Sequence, residues 1–269
     1  MAESTYLGAC VIIPCMHNIE MHEASDEFAK CWQAAGQHLS NRGDGRVNWL
    51  KADLIPPFLE HLSFRLGNQL FYVRLVDVDG RLQTPGNHSG LQAVADGCRG
   101  FACLMPMKWE EGQWTPVEPD WGLVDLRSRA PIDPVIHVSD EPVEMTSWEL
   151  LDFAVQVVRN HITDKLGGDI LSSQSNPDVH PSIWFVGEDG PEWVVVQMAT
   201  YESSEFFPLC DVSAVARSCA DRSPTGHVAR VGFCHADQTF EDDSVALPML
   251  RGHGAMIRFN GLEPLPGDD

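Results

Sequence analysis

The sequence predicts an α+β fold made of two tandem copies of an α-β-β-β-α-β-β unit, each with an antiparallel sheet and its helices on one face. One observation is a pair of similar stretches, residues 56–80 and 180–204, in which a glycine-bearing turn joins two apolar runs. Such runs are typical of β-hairpins. A second observation is apolar residues at helical spacing at matching distances before and after each stretch.

The second half of the chain gives the clearer pattern. Its first helix is predicted after Thr146, because Glu149 follows three residues later in a capping-box pattern. The predicted apolar face of this helix is formed by Trp148, Leu151, Val155, Val158 and Ile162. The later elements are a short strand at 170–171, a hairpin of 182–186 and 193–199, a helix through 212–219, and strands at 227–235 and 255–259.

The first half repeats this order when the pattern is moved back by roughly 120–130 residues. A helix falls on residues 28–35, a hairpin with a Gly67-Asn68 turn on 62–76, a helix on 91–98, and strands on 101–105 and 122–126. Few residues are identical between the two halves. The alternative to duplication is that two unrelated α+β halves can be aligned in this way by chance. The predicted units are residues 1–130 and 143–269, with a proline-containing junction at 131–142.

The length and composition predict a protein that folds without disulfide bonds or a structural metal. The chain has 269 residues, of which 43% are hydrophobic, and a chain of this length can bury roughly three quarters of the surface that its unfolded form exposes. No run approaches the roughly 20 apolar residues of a membrane span, and the first residues do not resemble a signal peptide. The eight cysteines include no C-x-x-C pair. We therefore expect reduced core thiols and a cytoplasmic location.

Charge is the strongest global feature of the sequence. Acids number 39 against 18 bases, for a net charge of −21. Residues 135–269 contain 22 acids and 7 bases, so most of the excess lies in the second unit. Because a nucleic-acid-binding protein needs a basic surface, the composition argues against one. Two interpretations remain: a genome that favours acidic proteins, or an acidic surface for a basic partner.

The sequence contains one group of candidate metal ligands near the N-terminus. Cys15, His17 and His22 lie close together, and Cys31 follows. Cysteine and histidine are the usual ligands of zinc, but this spacing matches no standard zinc finger. The alternative is a solvated strand-to-helix loop, and we expect no metal and no cofactor.

A nuclease-like site is a second candidate, because the order α-β-β-β-α-β also occurs in the restriction-endonuclease-like fold. Asp178 can stand for its first acid, with Asp53 as the counterpart in the first unit. Where that fold has Glu-x-Lys to hold Mg²⁺, this chain has Val195-Val196-Gln197, and apolar side chains do not ligate a hard cation. The sequence therefore argues against an active nuclease.

Other catalytic patterns are weak. The sequence has no G-x-S-x-G elbow, no P-loop and no G-x-G-x-x-G. His227 and the Arg251-Gly-His253-Gly segment can contribute to a pocket, although a histidine beside glycines is more often a turn residue. The segment Trp109 to Trp114 is predicted to be a polar hairpin tip with packed tryptophans. We predict no catalytic residue.

The order of elements and the acidity resemble class I type III secretion chaperones and their relatives outside secretion systems. That resemblance implies small acidic α+β domains, here in tandem, that hold partly unfolded client segments. The sequence therefore favours a non-catalytic protein that binds a basic partner as chaperone, adaptor or toxin-neutralising antagonist, with Glu241, Asp242 and Asp243 as candidate contacts. The alternative is a hydrolase or a degenerate restriction-endonuclease-like protein.

Overall fold

The structure is a computed structural model that describes residues 15–16, 25–52, 54, 61–201, 206–241 and 246–265. It confirms the predicted α+β class, with helices packed on two separate sheets. Within the described ranges, no helix has the length and apolar character needed to cross a membrane.

The first unit contains two helices and a sheet with the strand order β2-β3-β4-β5-β6, in which β7 also pairs with β5. Its elements in chain order are β1 (Cys15–Met16), α1 (Asp26–Gly43), β2 (Val47–Lys51), β3 (Leu62–Leu66), β4 (Gln69–Asp77), α2 (His88–Gly97), β5 (Phe101–Glu110), β6 (Gln113–Pro116) and β7 (Val124–Asp125).

The second unit has a sheet with the order β13-β12-β11-β10-β8, in which β14 also pairs with β12. Its elements are α3 (Ser147–His161), β8 (Asp169–Ser173), β9 (Val179–His180), β10 (Ile183–Gly187), β11 (Gly190–Thr200), α4 (Val212–Cys219), β12 (Gly226–His235), β13 (Ala255–Phe259) and β14 (Glu263–Pro264). A π-helical turn, Ile162–Leu166, extends α3 to Gly167.

Side-chain caps explain where the two long helices begin. The Ser25 hydroxyl accepts a hydrogen bond from the Phe28 amide at 3.2 Å and starts α1. The predicted capping box of α3 is present: Thr146 accepts from the Glu149 amide at 3.2 Å, and the Glu149 carboxylate accepts from the Thr146 amide at 2.9 Å. Each cap satisfies amides that a helix cannot pair internally.

The expectation of antiparallel sheets is corrected by one parallel pair in each sheet. Strand β4 runs parallel to β5, and β11 runs parallel to β12, while the other neighbours are antiparallel. A parallel pair needs a crossover connection, and α2 and α4 provide these crossovers. The sequence pattern did not predict the parallel pairs, because it shows which strands follow one another along the chain. It does not show the relative direction of two strands that a helix connects.

The expectation of helices on one face is also wrong. In β4, Phe71, Val73 and Leu75 lie in the core cluster of α1, whereas Leu70 and Tyr72 lie in the cluster of α2. Neighbouring strand residues point to opposite faces, so the two helices cover opposite faces of the sheet. The second unit repeats this arrangement: Val194 and Val196 pack with α3, and Val195 packs with α4.

The two sheets share their strand order and strand directions. Each has a hairpin, a crossover helix and a parallel strand, and two shorter antiparallel segments pair with that strand. A duplicated unit would give this similarity, but duplication itself stays a hypothesis. The strand at the edge of the first sheet, next to β5, is β6 rather than the predicted strand at 122–126. Of that predicted strand, only Val124–Asp125 is present, as the short β7.

The junction at 131–142 packs against the first unit. Ile132 belongs to the edge of the α1 core cluster, and the Val138 side chain lies directly over Gly67. The Asn68 amide group donates to the Ser139 hydroxyl at 3.0 Å and to the Glu141 carbonyl at 2.8 Å. The predicted Gly67-Asn68 turn therefore anchors the segment that leads into the second unit.

Candidate functional site

A buried arginine lies at the interface between the two units. The Arg251 guanidinium donates to both carboxylate oxygens of Glu149 at 2.9 Å, and both side chains are almost fully buried. It also donates to first-unit carbonyls, to that of Asn68 at 3.1 Å and to that of Cys98. A planar guanidinium can satisfy several acceptors at once, so this side chain joins α3 to the first unit.

A second polar cluster lies at the same interface. Lys51, from β2, forms an ion pair with Asp152 of α3, and the Ser175 hydroxyl donates to the same carboxylate oxygen of Asp152 at 2.5 Å. His61 packs edge-on against Tyr72 with ring centroids 5.6 Å apart. Its Nε2 is buried and has no hydrogen-bond partner in the described part of the chain.

Burial and charge set the protonation states in this cluster. Burial lowers the pKa of His61 to about 4, and the Lys51 charge acts in the same direction. Burial alone would raise the pKa of Asp152, but Lys51 and the hydrogen bond from Ser175 outweigh it, so the pKa lies below its ordinary value. Near neutral pH the cluster contains a neutral imidazole and an ionised, paired carboxylate. A carboxylate of this kind is a weak base.

A shallow groove of about 460 Å³ lies between the end of α2 and the start of α3. The Trp148 indole forms part of its wall and packs tightly against Gly97. The groove is also lined by Asp96, Glu144 and Arg99.

Trp148 was predicted to lie in the buried face of α3, but it is half-buried and packs on the α2 cluster of the first unit. Leu151, Val155, Val158 and Ile162 are buried as predicted.

The outer strand of the second sheet, β13, exposes apolar side chains. Met256 is 44% exposed and Ile257 is 40% exposed. Ile257 lies opposite Phe233 of β12, and the Phe233 ring stacks on Phe153 of α3 with centroids 5.5 Å apart. This edge therefore has apolar groups on both faces of the strand.

Of the three predicted partner contacts, the structure describes Glu241. It is exposed and forms an ion pair with Arg258 of β13, whose guanidinium also lies 4.2 Å from the centroid of the Phe240 ring. Asp242 and Asp243 lie outside the described residues. The acidic run therefore begins beside β13, a position that its sequence could not indicate.

Many acids of the second unit have no basic partner among the described residues. They are exposed and are spread over loops, turns and strand ends: Glu144, Asp164, Asp169, Asp178, Glu188, Asp189 and Asp221. By contrast, Arg217, Arg230, Arg251 and Arg258 each form an ion pair with a carboxylate. The described surface of this unit is therefore strongly negative.

The candidate metal ligands do not form a described site. His17 and His22 lie outside the described residues, as does the side chain of Cys15, while Cys31 is buried in the α1 core. Burial raises the pKa of the Cys31 thiol to about 12, so it stays protonated. Within the described ranges, no group of three or more His, Cys, Asp or Glu side chains could hold a metal ion.

The nuclease-like positions do not come together either. Asp178 is exposed in a turn, and Asp53 lies outside the described residues. Val195 and Val196 are fully buried, and the Gln197 side chain donates to the Pro208 carbonyl at 3.1 Å. Gln197 thus secures a loop, and these strand residues form core.

The other predicted pocket residues lie apart. His227 forms a 2.5 Å contact with the Glu192 carboxylate on the neighbouring strand, whereas His253 is exposed in a turn. Trp109 and Trp114 pair across the β5–β6 hairpin, and Trp114 is buried and donates to Glu27 at 3.0 Å. The segment is a hairpin turn with packed tryptophans.

Sequence reasoning missed Lys51, His61, Asp152 and Ser175. These residues come from four separated segments and meet at the interface between the units. Their one local signal is Asp152, a charged residue next to the predicted apolar face of α3. Its partners are set by how the units pack, which has no local pattern.

One family model matches the second unit. Residues 148–265 are similar to the family described as "Domain of unknown function (DUF8840)". The matched range begins at the second residue of α3 and ends one residue after β14, so it includes the second sheet and both of its helices. No curated protein and no solved structure matches the chain.

Proposed function

We propose that this protein binds a basic segment of another protein, without catalysis, as a chaperone, adaptor or toxin-neutralising antagonist in the cytoplasm. The observation that carries the proposal is the exposed, unpaired acids of the second unit, whose arginines are largely engaged in ion pairs. A surface of one sign steers an oppositely charged partner and suppresses partners of like charge. The resemblance to class I type III secretion chaperones belongs to the same proposal.

The polar clusters between the units support this reading over the hydrolase alternative. Lys51 and Ser175 both donate to the Asp152 carboxylate, and the lowered pKa of Asp152 disfavours it as a general base. Arg251 is satisfied by Glu149 and by backbone carbonyls. These groups are suited to fixing one unit against the other rather than to acting on a substrate.

The test is affinity purification of the whole protein from native lysate at low and high salt, followed by binding kinetics with the recovered partner. We expect a partner with a basic segment whose association rate falls as ionic strength rises, because salt screens exposed charges. Recovery of the same partner in equal amount at both salt concentrations, with a rate that does not depend on salt, would contradict the proposal.

A further inference from the structure

We infer that the outer edge of β13 accepts an extended segment of a basic partner protein, which adds one more strand to the second sheet. This inference rests on the proposed function and specifies where and how the partner binds. β13 is the last strand of its sheet, and within the described ranges β12 is its one strand neighbour. In an antiparallel ladder, alternate residues direct their N–H and C=O groups to opposite sides. Among the residues that the structure describes, nothing pairs with the outer side of β13, and a further ladder can form there.

The side chains of β13 fit such an addition. Exposed edges in stable proteins are usually protected by lysine, proline or a bulge. Here Met256 and Ile257 are exposed instead, one on each face of the strand. On the α3 face, Phe153 is 39% exposed and stacks on the Phe233 ring that lies opposite Ile257. An incoming strand would place alternate side chains against this apolar surface.

Charge decides which occupant fits. Arg258, the one base on β13, is paired with Glu241. At one end of the strand, the Asp237 side chain is 82% exposed, next to the His235 that pairs with Ala255. A second copy of this chain would bring another net charge of −21 to the same edge, and like charges disfavour association. A partner segment that alternates basic and apolar residues complements both the apolar and the acidic groups.

The experiment uses the full-length protein and a fluorescent peptide of about nine alternating lysine and valine residues, a length within the usual range for one strand. Binding is measured by anisotropy, and hydrogen exchange of the protein amides is followed by mass spectrometry. We expect salt-dependent binding with increased protection at 255–259. A peptide with alternate backbone N-methyl groups keeps the charge but cannot form a ladder, so we expect it to bind at least about tenfold more weakly.

Two matched variants locate the contact. Ile257→Lys places a cation on the exposed edge, and we expect it to weaken binding by at least about tenfold. Ile136→Lys makes the same change at another exposed isoleucine, in the junction, and we expect its affinity to stay within about twofold of the parent protein. Unchanged circular dichroism and melting temperature establish that both variants fold.

Each other result overturns the inference in a distinguishable way. If Ile257→Lys and the N-methylated peptide bind as well as their parents, the proposed function stands and the β13 site is wrong. If the parent protein shows no salt-dependent binding of either peptide, both proposals fail. If the parent protein self-associates and Ile257→Lys is monomeric, the occupant of the edge is a second copy of the chain.

Discussion

The Arg251 guanidinium donates one hydrogen bond to each carboxylate oxygen of Glu149, both at 2.9 Å, in an almost fully buried pair that also contacts backbone carbonyls of the first unit. Removing one partner of a buried pair leaves an uncompensated charge. Arg251→Met should therefore lower the free energy of unfolding by about 3–5 kcal/mol, as measured by urea denaturation.

Two comparisons make this prediction specific. Arg127→Met removes an exposed ion pair with Asp96 and should cost at most about 1 kcal/mol. Adding Glu149→Gln to Arg251→Met should recover part of the loss, because an amide can still cap α3 and needs no cation. If the double variant is no more stable than Arg251→Met, the loss of stability in Arg251→Met does not come from the unpaired Glu149 carboxylate.

Gly97 at the end of α2 is required by the Trp148 indole. A Cβ added there would lie 1.8 Å from the Cε3 atom of Trp148, so Gly97→Ala should destabilise the protein by about 1–3 kcal/mol through overpacking. Gly36 in α1 has no atom within 4 Å of the same added Cβ. Gly36→Ala should instead stabilise by up to about 1 kcal/mol through helix propensity. Thermal melts of both variants would show opposite shifts, and equal shifts would contradict the close contact.

Val155 lies in the buried face of α3 with 2% exposure. Val155→Ala should cost roughly 1–3 kcal/mol, because apolar contacts are lost and a cavity remains. Val117 is 49% exposed, and Val117→Ala should change stability by less than about 0.5 kcal/mol. A melting temperature of Val155→Ala equal to that of the parent protein would place this helix face in solvent.

His61 should make stability depend on pH. Because folding lowers its pKa from 6.5 to about 4, the unfolded chain binds a proton that the folded protein does not. The stability associated with neutral His61 is present above pH 6.5 and is lost as the pH falls towards 4. His61→Gln should lose less stability over this range, by up to about 3 kcal/mol. Denaturation of both proteins from pH 8 to pH 4 checks this, and parallel curves would contradict it.

The acidic run at 241–243 should act on the rate of partner binding. Replacing Glu241, Asp242 and Asp243 with serine should slow association and flatten its salt dependence, since charges at the rim act mainly on the on-rate. Folding stability should change little, because Glu241 is exposed. The Glu110→Ser, Glu111→Ser variant of the first-unit hairpin is the control and should bind at nearly the parental rate. Stopped-flow kinetics at several ionic strengths would compare them.

The sequence predicted those elements whose signal is local. The cap of α3, the Gly67-Asn68 hairpin and the apolar face through Val155 depend on residues a few positions apart, and all three are present. The sheet faces were mispredicted, although the unbroken apolar run of Leu70 to Val73 is the pattern of a strand buried on both sides. In β6, charged neighbours and Pro116 obscured a short edge strand.

The candidate site was less predictable than the fold. β13 is an edge strand because it lies at the end of the strand order of its sheet. The environment of Arg251 includes backbone carbonyls of the first unit. Lys51 and Asp152 are about a hundred residues apart along the chain. Contacts between residues so far apart depend on how the two folded units pack against each other. The local pattern of apolar and polar residues does not predict them.

The short parallel pairing of β1 with β9 has a consequence for synthesis. Backbone of the first unit, Cys15–Met16, is hydrogen-bonded to Val179–His180 of the second unit. A chain emerging from the ribosome exposes its N-terminus first, and domains generally fold in that order. This ladder, however, cannot form until residues 179–180 have been made, which follow every strand of the first sheet. During translation the first sheet can therefore form while Cys15–Met16 still lacks its partner strand, and this link between the two units can form only after the whole first sheet has been made.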